Sequence, residues 1–119
     1  MNKPKLSIII LNYNTKELLA DCLISVKKYM GEVPMEVIVS DNSSTDGGPD
    51  MVRKNFPWVK LTEGPNSGFS MGNNRAKDLV NGEMVLFLNP DTVVHKNVFA
   101  RTVRYLEEHP GVGAVTCKL

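Results

Sequence analysis

Residues 6–11 read Leu-Ser-Ile-Ile-Ile-Leu, an almost unbroken apolar run with three consecutive β-branched residues at its centre. Such continuous runs, without the alternation of a half-exposed strand, are typical of strands covered on both faces in a parallel sheet. Asn12, Tyr13 and Asn14 follow directly and end the run. The stretch therefore predicts a central strand whose polar end reaches one edge of a sheet.

Strand and helix patterns alternate along the rest of the chain. Apolar residues at three- and four-residue steps predict a helix over Lys16–Met30, with Thr15 as N-cap and Gly31 as its end. Further helices are predicted from Pro49 to Phe56, over Met71–Val80 with a left-handed stop at Asn81-Gly82, and from Val98 to Leu106. Further strands are predicted at Val37–Val39, Val59–Leu61, Met84–Leu88 (as a buried strand) and Val112–Thr116. This alternation predicts an α/β fold, a mostly parallel sheet with helices on both faces.

Composition narrows the functional classes. The 119 residues carry 14 Lys and Arg against 13 Asp and Glu, a net charge of +1, which argues against a nucleic-acid partner. Cys22 and Cys117 stand far apart, which favours two buried free thiols and fits a cytoplasmic protein. The apolar run at residues 6–11 is too short to span a bilayer or to form a signal-peptide core.

Polar loops follow four of the predicted strands, and in a parallel sheet these loops meet at one edge, where ligands bind. The loops are Asn12-Tyr13-Asn14, residues 41–47, residues 64–68 and Asn89-Pro90-Asp91. A carboxylate such as Asp91 at a strand end can hold a divalent metal and a phosphorylated ligand, although the triplet can equally be a simple turn. The sequence thus points to phosphate chemistry at this edge.

Individual side chains in these loops allow two readings each. Asp41 can accept a hydrogen bond from the ring N–H of uracil or thymine, or it can simply be a turn residue. Tyr13 can cover one face of such a base, or it can be a half-buried ring with no ligand. Asp46 is better explained as the N-cap of the second helix. Arg75 can reach a diphosphate or a base carbonyl, or it can be solvated. The chain contains no Ser-His-Asp order, Walker loop or Gly-x-Gly-x-x-Gly, which weakens hydrolase, NTPase and dinucleotide-oxidoreductase readings.

Five segments resemble the N-terminal, nucleotide-binding half of family 2 inverting glycosyltransferases of the GT-A fold and occur in the order that the family has. Their residues are similar to those of the rhamnosyltransferase-like branch. They are residues 7–14 (SIIILNYN), 39–47 (VSDNSSTDG), 66–75 (NSGFSMGNNR), 88–92 (LNPDT) and 113–116 (GAVT). The resemblance covers nearly the whole chain and implies a Rossmann-like half-fold, with residues 1–119 as the donor-binding part and the acceptor half absent.

The resemblance also implies roles for single residues. Asp41 would bind the pyrimidine, Arg75 the base or diphosphate, and Asp91 a Mn²⁺ or Mg²⁺ that bridges the diphosphate. The remaining nucleotide-binding positions would be Asn12, Tyr13, Asn14, Asn66, Gly68 and Asn89. The family motif commonly has an acidic residue where this chain has Asn89, so Asp91 would be the sole protein carboxylate on the metal. The family's general base lies further along, so no catalytic residue is assigned here.

The implied function is transfer of a sugar from a dTDP- or UDP-sugar to a glycan or lipid-linked acceptor in polysaccharide synthesis. We expect the 119 residues alone to be inactive, the full protein to be cytoplasmic or membrane-associated, and an open sheet edge to permit a homodimer. Two alternatives stay open: a non-catalytic nucleotide-binding module, to which Asn89 points, and a sugar nucleotidyltransferase. The latter should carry a Gly-rich basic loop after its first strand, which Asn12-Tyr13-Asn14-Thr15 does not.

Overall fold

The structure is a computed structural model that describes residues 3–66 and 68–113. Its strands are β1 (Leu6–Asn12), β2 (Met35–Asn42), β3 (Lys60–Gly64) and β4 (Met84–Leu88). Its α-helices are α1 (Lys16–Tyr29), α2 (Gly48–Asn55), α3 (Phe69–Lys77) and α4 (Val98–Glu108), and a 3₁₀ turn at Met30–Glu32 follows α1. Residues 114–116 of the predicted fifth strand, and Cys117, lie outside the described residues. In the described part, no helix is long and apolar enough to cross a bilayer.

The four strands form one parallel sheet in the order β3-β2-β1-β4. β1 is central and pairs with β2 from Leu6↔Met35 to Asn12↔Asp41, and with β4 from Leu6↔Met84 to Ile10↔Leu88. The chain therefore adds strands on one side of β1 and then returns to its other side. This α/β architecture confirms the predicted fold class.

Helices cover the two faces of the sheet unequally. On one face, Ile8 and Ile10 pack with α1, α2 and α4 in a large core. On the other face, Ile9 and Ile38 pack against Ala76 of α3 in a smaller cluster. Complete burial of an aliphatic side chain contributes about 1.5–3 kcal/mol, so the continuous isoleucine run of β1 stabilises both layers at once.

The prediction that Met84–Leu88 is a buried strand is wrong. β4 is an edge strand of the described sheet, and its residues alternate between partly buried and exposed. Met84, Leu86 and Leu88 pack against the large core, whereas Val85 is 43% and Phe87 59% exposed. The error arises because a short apolar run does not reveal whether a helix covers both of its faces.

The predicted end of the third helix also needs correction. α3 spans Phe69–Lys77 and so ends three residues before the predicted Val80, and neither Asn81 nor Gly82 has a positive φ. Gly82 is required for a different reason: its N–H donates to the Ser7 hydroxyl at 2.8 Å, and a Cβ there would collide with Ser7. Close backbone approach, which only glycine permits here, replaces the predicted left-handed stop.

Glu36 connects the amino ends of the strands. Its carboxylate accepts hydrogen bonds from the Ser7 hydroxyl at 2.5 Å, the Lys60 ammonium at 2.6 Å and the Asn81 N–H at 2.6 Å. Burial alone would raise the pKa of Glu36, but these three donors outweigh it and lower the pKa from 4.5 to about 2. The charged form of Glu36 therefore stabilises the folded state.

The pKa of Glu36 predicts how stability depends on pH. Because the folded-state pKa lies below the unfolded value, the stabilisation is present above pH 4.5 and is lost as the pH falls towards about 2. We expect Glu36→Gln to lower the free energy of unfolding by about 2–3 kcal/mol at pH 7. Urea denaturation at pH 7 and pH 3 should show this difference shrinking at the lower pH.

Glu108→Gln is the matched control, because Glu108 is exposed at the end of α4. It should change stability by less than about 0.5 kcal/mol at both pH values. A Glu36→Gln variant whose loss of stability is the same at pH 7 and pH 3 would contradict the role given to the Glu36 charge.

Candidate functional site

The carboxyl ends of the parallel strands form one polar rim. The register places Asn12 beside Asp41, Asp41 beside Glu63, and Asn42 beside Gly64, so β1, β2 and β3 end at the same level. β4 ends next to β1, on the side opposite β2. In open parallel sheets, ligands bind in the crevice outside these ends, where the strand order reverses. In this sheet that point lies between the loops that follow β1 and β4.

Asp41 is the buried centre of the rim, with an exposure of 1%. Its Oδ1 accepts hydrogen bonds from the Asn12 amide at 2.9 Å and the Ser44 hydroxyl at 2.8 Å. Its Oδ2 accepts one from the Ser44 N–H at 2.8 Å. Asn12 is itself fully buried and accepts a hydrogen bond from the Thr15 hydroxyl at 2.6 Å. Protein donors thus compensate the carboxylate for lost water, as a buried charge requires.

The loop after β1 is tied to the loop after β2 by reciprocal hydrogen bonds. The Asn14 N–H donates to the Ser44 hydroxyl at 2.9 Å, and the Asn14 side-chain oxygen accepts from the Thr45 N–H at 2.7 Å. Asn14 has a left-handed backbone, with φ of 50°, a conformation that asparagine tolerates better than most residues. Tyr13, the residue before it, is 49% exposed. The predicted base-covering ring therefore lies on a fixed loop and faces water.

Asp46 caps two helices. Its Oδ1 accepts a hydrogen bond from the Gly48 N–H at 2.9 Å, and its Oδ2 accepts one from the Lys16 N–H at 3.0 Å. These are the first residues of α2 and α1, so one carboxylate satisfies an N–H at each helix start. The prediction that Asp46 is the N-cap residue of α2 is wrong, because Gly47 holds that position; Asp46 precedes it and still accepts from the first helical N–H. Thr15, predicted to cap α1, makes no side-chain cap hydrogen bond.

Arg75 anchors α3 to the rim. Its guanidinium donates to the Ser40 hydroxyl at 3.0 Å, the Asp41 carbonyl at 3.1 Å, the Asn42 side chain at 3.2 Å and the Pro65 carbonyl at 3.0 Å. These acceptors are all neutral, so the described contacts leave the positive charge of Arg75 without an anionic partner. The guanidinium both orders the loops and adds positive potential to the rim.

The loop after β3 depends on glycine at two positions. A Cβ on Gly64 would collide with the Arg75 guanidinium, so glycine lets the arginine lie against the backbone. Gly68 has φ of 102° and ψ of 168°, a combination essentially restricted to glycine, and it precedes the first turn of α3. Asn66 lies between them and is exposed. The loop is therefore held next to Asp41 and leaves Asn66 open to a ligand.

Asn89 and Asp91 lie in an exposed turn at the end of β4. The Asn89 carbonyl accepts a hydrogen bond from the Thr92 N–H at 3.1 Å and lies 3.9 Å from the Cys22 sulfur, which donates to it. Burial, and secondly the nearby charge of Asp91, raises the pKa of Cys22 to about 12, so Cys22 is a neutral thiol that supports the turn. For the described residues, no hydrogen bond joins this turn to the Asp41 cluster.

Asp91 is the candidate metal ligand, and the described ranges contain no group of three or more His, Cys, Asp and Glu that could hold an ion. Mg²⁺ in phosphate-binding sites takes one or two carboxylates and fills its remaining positions with substrate phosphates and water. One exposed carboxylate at the rim fits that mode. It does not fit a metal held by protein ligands alone.

Ser44, which joins Asp41, Asn12 and Asn14, is not among the predicted site residues. The sequence feature that indicates this role is the three-residue spacing of Asp41 and Ser44. At that spacing an Asp side chain can accept hydrogen bonds from both the backbone N–H and the hydroxyl of the serine. The structure brings Asn12, Asn14, Asp41 and Arg75 into one network. It leaves Tyr13, Asn66, Asn89 and Asp91 exposed around that network.

Comparison with known proteins gives a consistent result. The family model described as glycosyl transferase family 2 matches residues 7–118. An uncharacterized glycosyltransferase of Bacillus subtilis, YfnE, is 31% identical over 118 residues, which are 97% of this chain and 30% of that protein. The chain therefore spans less than a third of the length of this relative.

Two solved structures resemble the fold. A mannosyltransferase from Pyrobaculum calidifontis, in complex with GDP-Man and Mn²⁺, matches with a TM-score of 0.85 and 29% sequence identity. The match covers 99% of this chain and 36% of the mannosyltransferase chain. Residues 1–349 of Staphylococcus aureus TarS, in complex with UDP-GlcNAc, have a TM-score of 0.74 and 27% identity, covering 89% of this chain and 32% of that chain. The sheet and helices described above are thus a GT-A fold.

The double cap at Asp46 gives a prediction about stability. Asp46→Ala removes an acceptor from the first turns of both α1 and α2, and we expect it to lower the free energy of unfolding by about 1–2 kcal/mol. Asp50→Ala is the control, because Asp50 is exposed and pairs with Arg53 one turn along the same helix. Its cost should stay below about 0.5 kcal/mol in urea denaturation. Equal losses in the two variants would show that Asp46 is not a cap.

Proposed function

We propose that this chain, which belongs to glycosyl transferase family 2, binds the nucleoside diphosphate of a sugar donor at the rim and supplies the donor site of a glycosyltransferase. The observation that carries the proposal is the Asp41 network. The buried Asp41 carboxylate is tied through Ser44 to the loop that carries the exposed Tyr13. Arg75 donates to the Asp41 carbonyl and forms no ion pair with any residue that the structure describes. These are the groups that a base, its edge and a diphosphate need.

The parts of the donor are assigned to different sections of the rim. The base would lie against Tyr13, with its N–H edge towards Asp41. Asn12 and Asn14 would hold the loop in place. Asn66 and Gly68 would border the nucleoside. The diphosphate would lie towards the turn at Asn89 and Asp91. A Mn²⁺ or Mg²⁺ carried by the diphosphate would be held by Asp91 and, when bound, offsets negative charge on the leaving group.

The reaction we infer is an inverting transfer from a dTDP- or UDP-sugar. An acceptor hydroxyl attacks the anomeric carbon, the bond from that carbon to the diphosphate breaks, and a base on the acceptor side takes the hydroxyl proton. We assign no residue of this chain as that base. The acceptor would be a glycan or a lipid-linked molecule in polysaccharide synthesis, as in the rhamnosyltransferase-like branch. The protein would be cytoplasmic or membrane-associated, and an open sheet edge would allow it to form a homodimer.

Calorimetric titration of UDP and dTDP, with and without Mn²⁺, tests this proposal. We expect Asp41→Asn to weaken binding by about 10–100-fold, because the base loses a charged acceptor. Asp91→Asn should abolish the effect of Mn²⁺ and leave metal-free binding nearly unchanged. The isosteric change keeps the shape of each side chain.

Asp78→Asn is the control, since Asp78 is exposed at the C-terminal end of α3. Wild-type protein that binds neither nucleotide would refute the donor site, and unchanged affinity in Asp41→Asn would refute the role of Asp41. Binding without any transfer to an acceptor by the whole protein would instead favour the non-catalytic module.

A further inference from the structure

One turn of α1 contacts the chain on both sides of Asp91. Cys22 and Ser25 lie three residues apart on this helix, and both are buried. The Cys22 thiol donates to the Asn89 carbonyl at 3.9 Å. The Ser25 hydroxyl accepts from the Val94 N–H at 2.9 Å. Asn89 precedes Asp91 and Val94 follows it, so the same helical turn supports the segment before and after the predicted metal ligand.

The Ser25 hydroxyl makes the stronger of these two contacts. It donates to the Cys22 carbonyl at 2.7 Å, which orients its lone pairs, and it accepts the buried Val94 N–H. An N–H donating to a hydroxyl at this distance forms an ordinary hydrogen bond, whereas a thiol is a weak donor. The Val94 side chain is also buried and packs in the large core. Val94 is therefore anchored through both its backbone and its side chain.

The residues between these anchors are supported mainly from within. The Thr92 N–H donates to the Asn89 carbonyl at 3.1 Å and closes the turn, while Asp91 and Val93 are exposed. In residues 3–66 and 68–113, the Ser25 contact is the hydrogen bond that joins residues 90–94 to a helix or strand. Without the Ser25 hydroxyl, the backbone three residues after Asp91 would lose this bond.

A metal ligand that stands alone depends strongly on how it is held. Asp91 would be the sole protein carboxylate on the ion, so no second carboxylate would correct its position. A ligand fixed before binding loses less conformational freedom when the ion arrives, and this raises affinity without any new contact. The backbone anchor at Val94 is placed to supply that restraint.

We infer that Ser25 is a positioning residue for the metal: its hydroxyl fixes the backbone after Asp91, so that the carboxylate stays where a Mn²⁺ or Mg²⁺ carried by the diphosphate can bind it. This inference rests on the proposed function, because it requires Asp91 to hold the ion. Ser25 acts through the backbone of the turn and touches neither the ion nor the nucleotide.

The test is the Mn²⁺ dissociation constant of the UDP complex of the full chain, measured by the loss of the EPR signal of free Mn²⁺, with UDP alone as the blank. Ser25→Ala should raise this constant by about tenfold, the low end of the loss expected when an outer partner of a metal ligand is removed. Metal-free UDP affinity, measured by calorimetry, should stay nearly unchanged.

Two further variants at the same position separate the hydroxyl from the space it fills. Ser25→Thr keeps a hydroxyl that can still donate to a carbonyl in the preceding helical turn, and it should keep the wild-type Mn²⁺ affinity. If Ser25→Ala does not fold, Ser25→Cys fills the same space with a weak acceptor and should weaken Mn²⁺ binding in the same direction.

The effects of Ser25 and Asp91 on the metal should not be additive. Asp91→Asn should itself weaken Mn²⁺ binding, and adding Ser25→Ala to it should cost less than about twofold more, because Ser25 acts through Asp91. Additive losses in the double variant would show that Ser25 supports the ion by another route, and would overturn the inference.

Ser7→Ala is the matched control. The Ser7 hydroxyl is also buried, donates once, to Glu36, and accepts one backbone N–H, from Gly82, at the opposite end of β1. This variant should lower the melting temperature and leave Mn²⁺ affinity unchanged, which separates lost stability from lost positioning.

The remaining outcomes distinguish this inference from the donor site. A Ser25→Ala variant that binds Mn²⁺ as tightly as the wild type, or that loses metal-free UDP affinity to the same extent, would overturn the inference. A wild-type complex that holds Mn²⁺ no more tightly than free UDP would also overturn it, although donor binding would then stand. A wild type that binds neither UDP nor dTDP would refute the donor site itself.

Discussion

The arrangement of the rim depends on the need to satisfy one buried carboxylate. Asp41 is only 1% exposed, and an unpaired carboxylate buried to this extent would destabilise the fold by several kcal/mol. Its donors come from Asn12 on the neighbouring strand and from Ser44 in its own loop. The hydrogen bond from Asn12 requires Asn12 and Asp41 to lie side by side near the carboxyl ends of β1 and β2, as the register shows. Satisfying the charge therefore also positions the loops on which a ligand would lie.

A second carboxylate has the corresponding role at the other end of the sheet. Glu36 collects donors from β1, from β3 and from the backbone before β4, just as Asp41 collects them at the carboxyl ends. Between the two lie the apolar centres of β1 and β2. The difference between the ends is chemical. Glu36 pairs with the Lys60 ammonium, whereas the Asp41 carboxylate accepts hydrogen bonds from neutral donors. Arg75 lies next to Asp41 and forms no ion pair within residues 3–66 and 68–113, so its charge remains available to the diphosphate of the proposed donor.

Much of the fold follows from local sequence. The isoleucine run of β1, the helical spacing of Leu19, Cys22, Leu23 and Val26, and Pro49 in the first turn of α2 each predicted the observed element. The edge position of β4 could not be predicted from local sequence, because whether a helix covers a strand face depends on the tertiary structure. Gly82 was misread as a turn residue because its close approach to Ser7 joins positions 75 residues apart.

The sequence predicts which polar residues follow the strands, but it does not predict the hydrogen bonds that connect them. Strand ends identify which polar residues share a rim, because parallel strands end at one edge. They do not reveal that Ser44 joins two loops, or that Asp46 caps two helices, since each role depends on a partner some 30 residues away in the chain. Hydrogen-bond geometry, available only from the folded chain, distinguishes a turn residue from the centre of a network.

A crystal structure of the protein with UDP and Mn²⁺ tests the central claim most directly. The uracil ring N–H should then lie within hydrogen-bond distance of the Asp41 carboxylate, with the ring beside Tyr13 and the diphosphate and metal at Asp91. A nucleotide bound elsewhere, for example in the groove of about 480 Å³ between α3 and β4 that Ile9, Lys77 and Phe87 line, would contradict it.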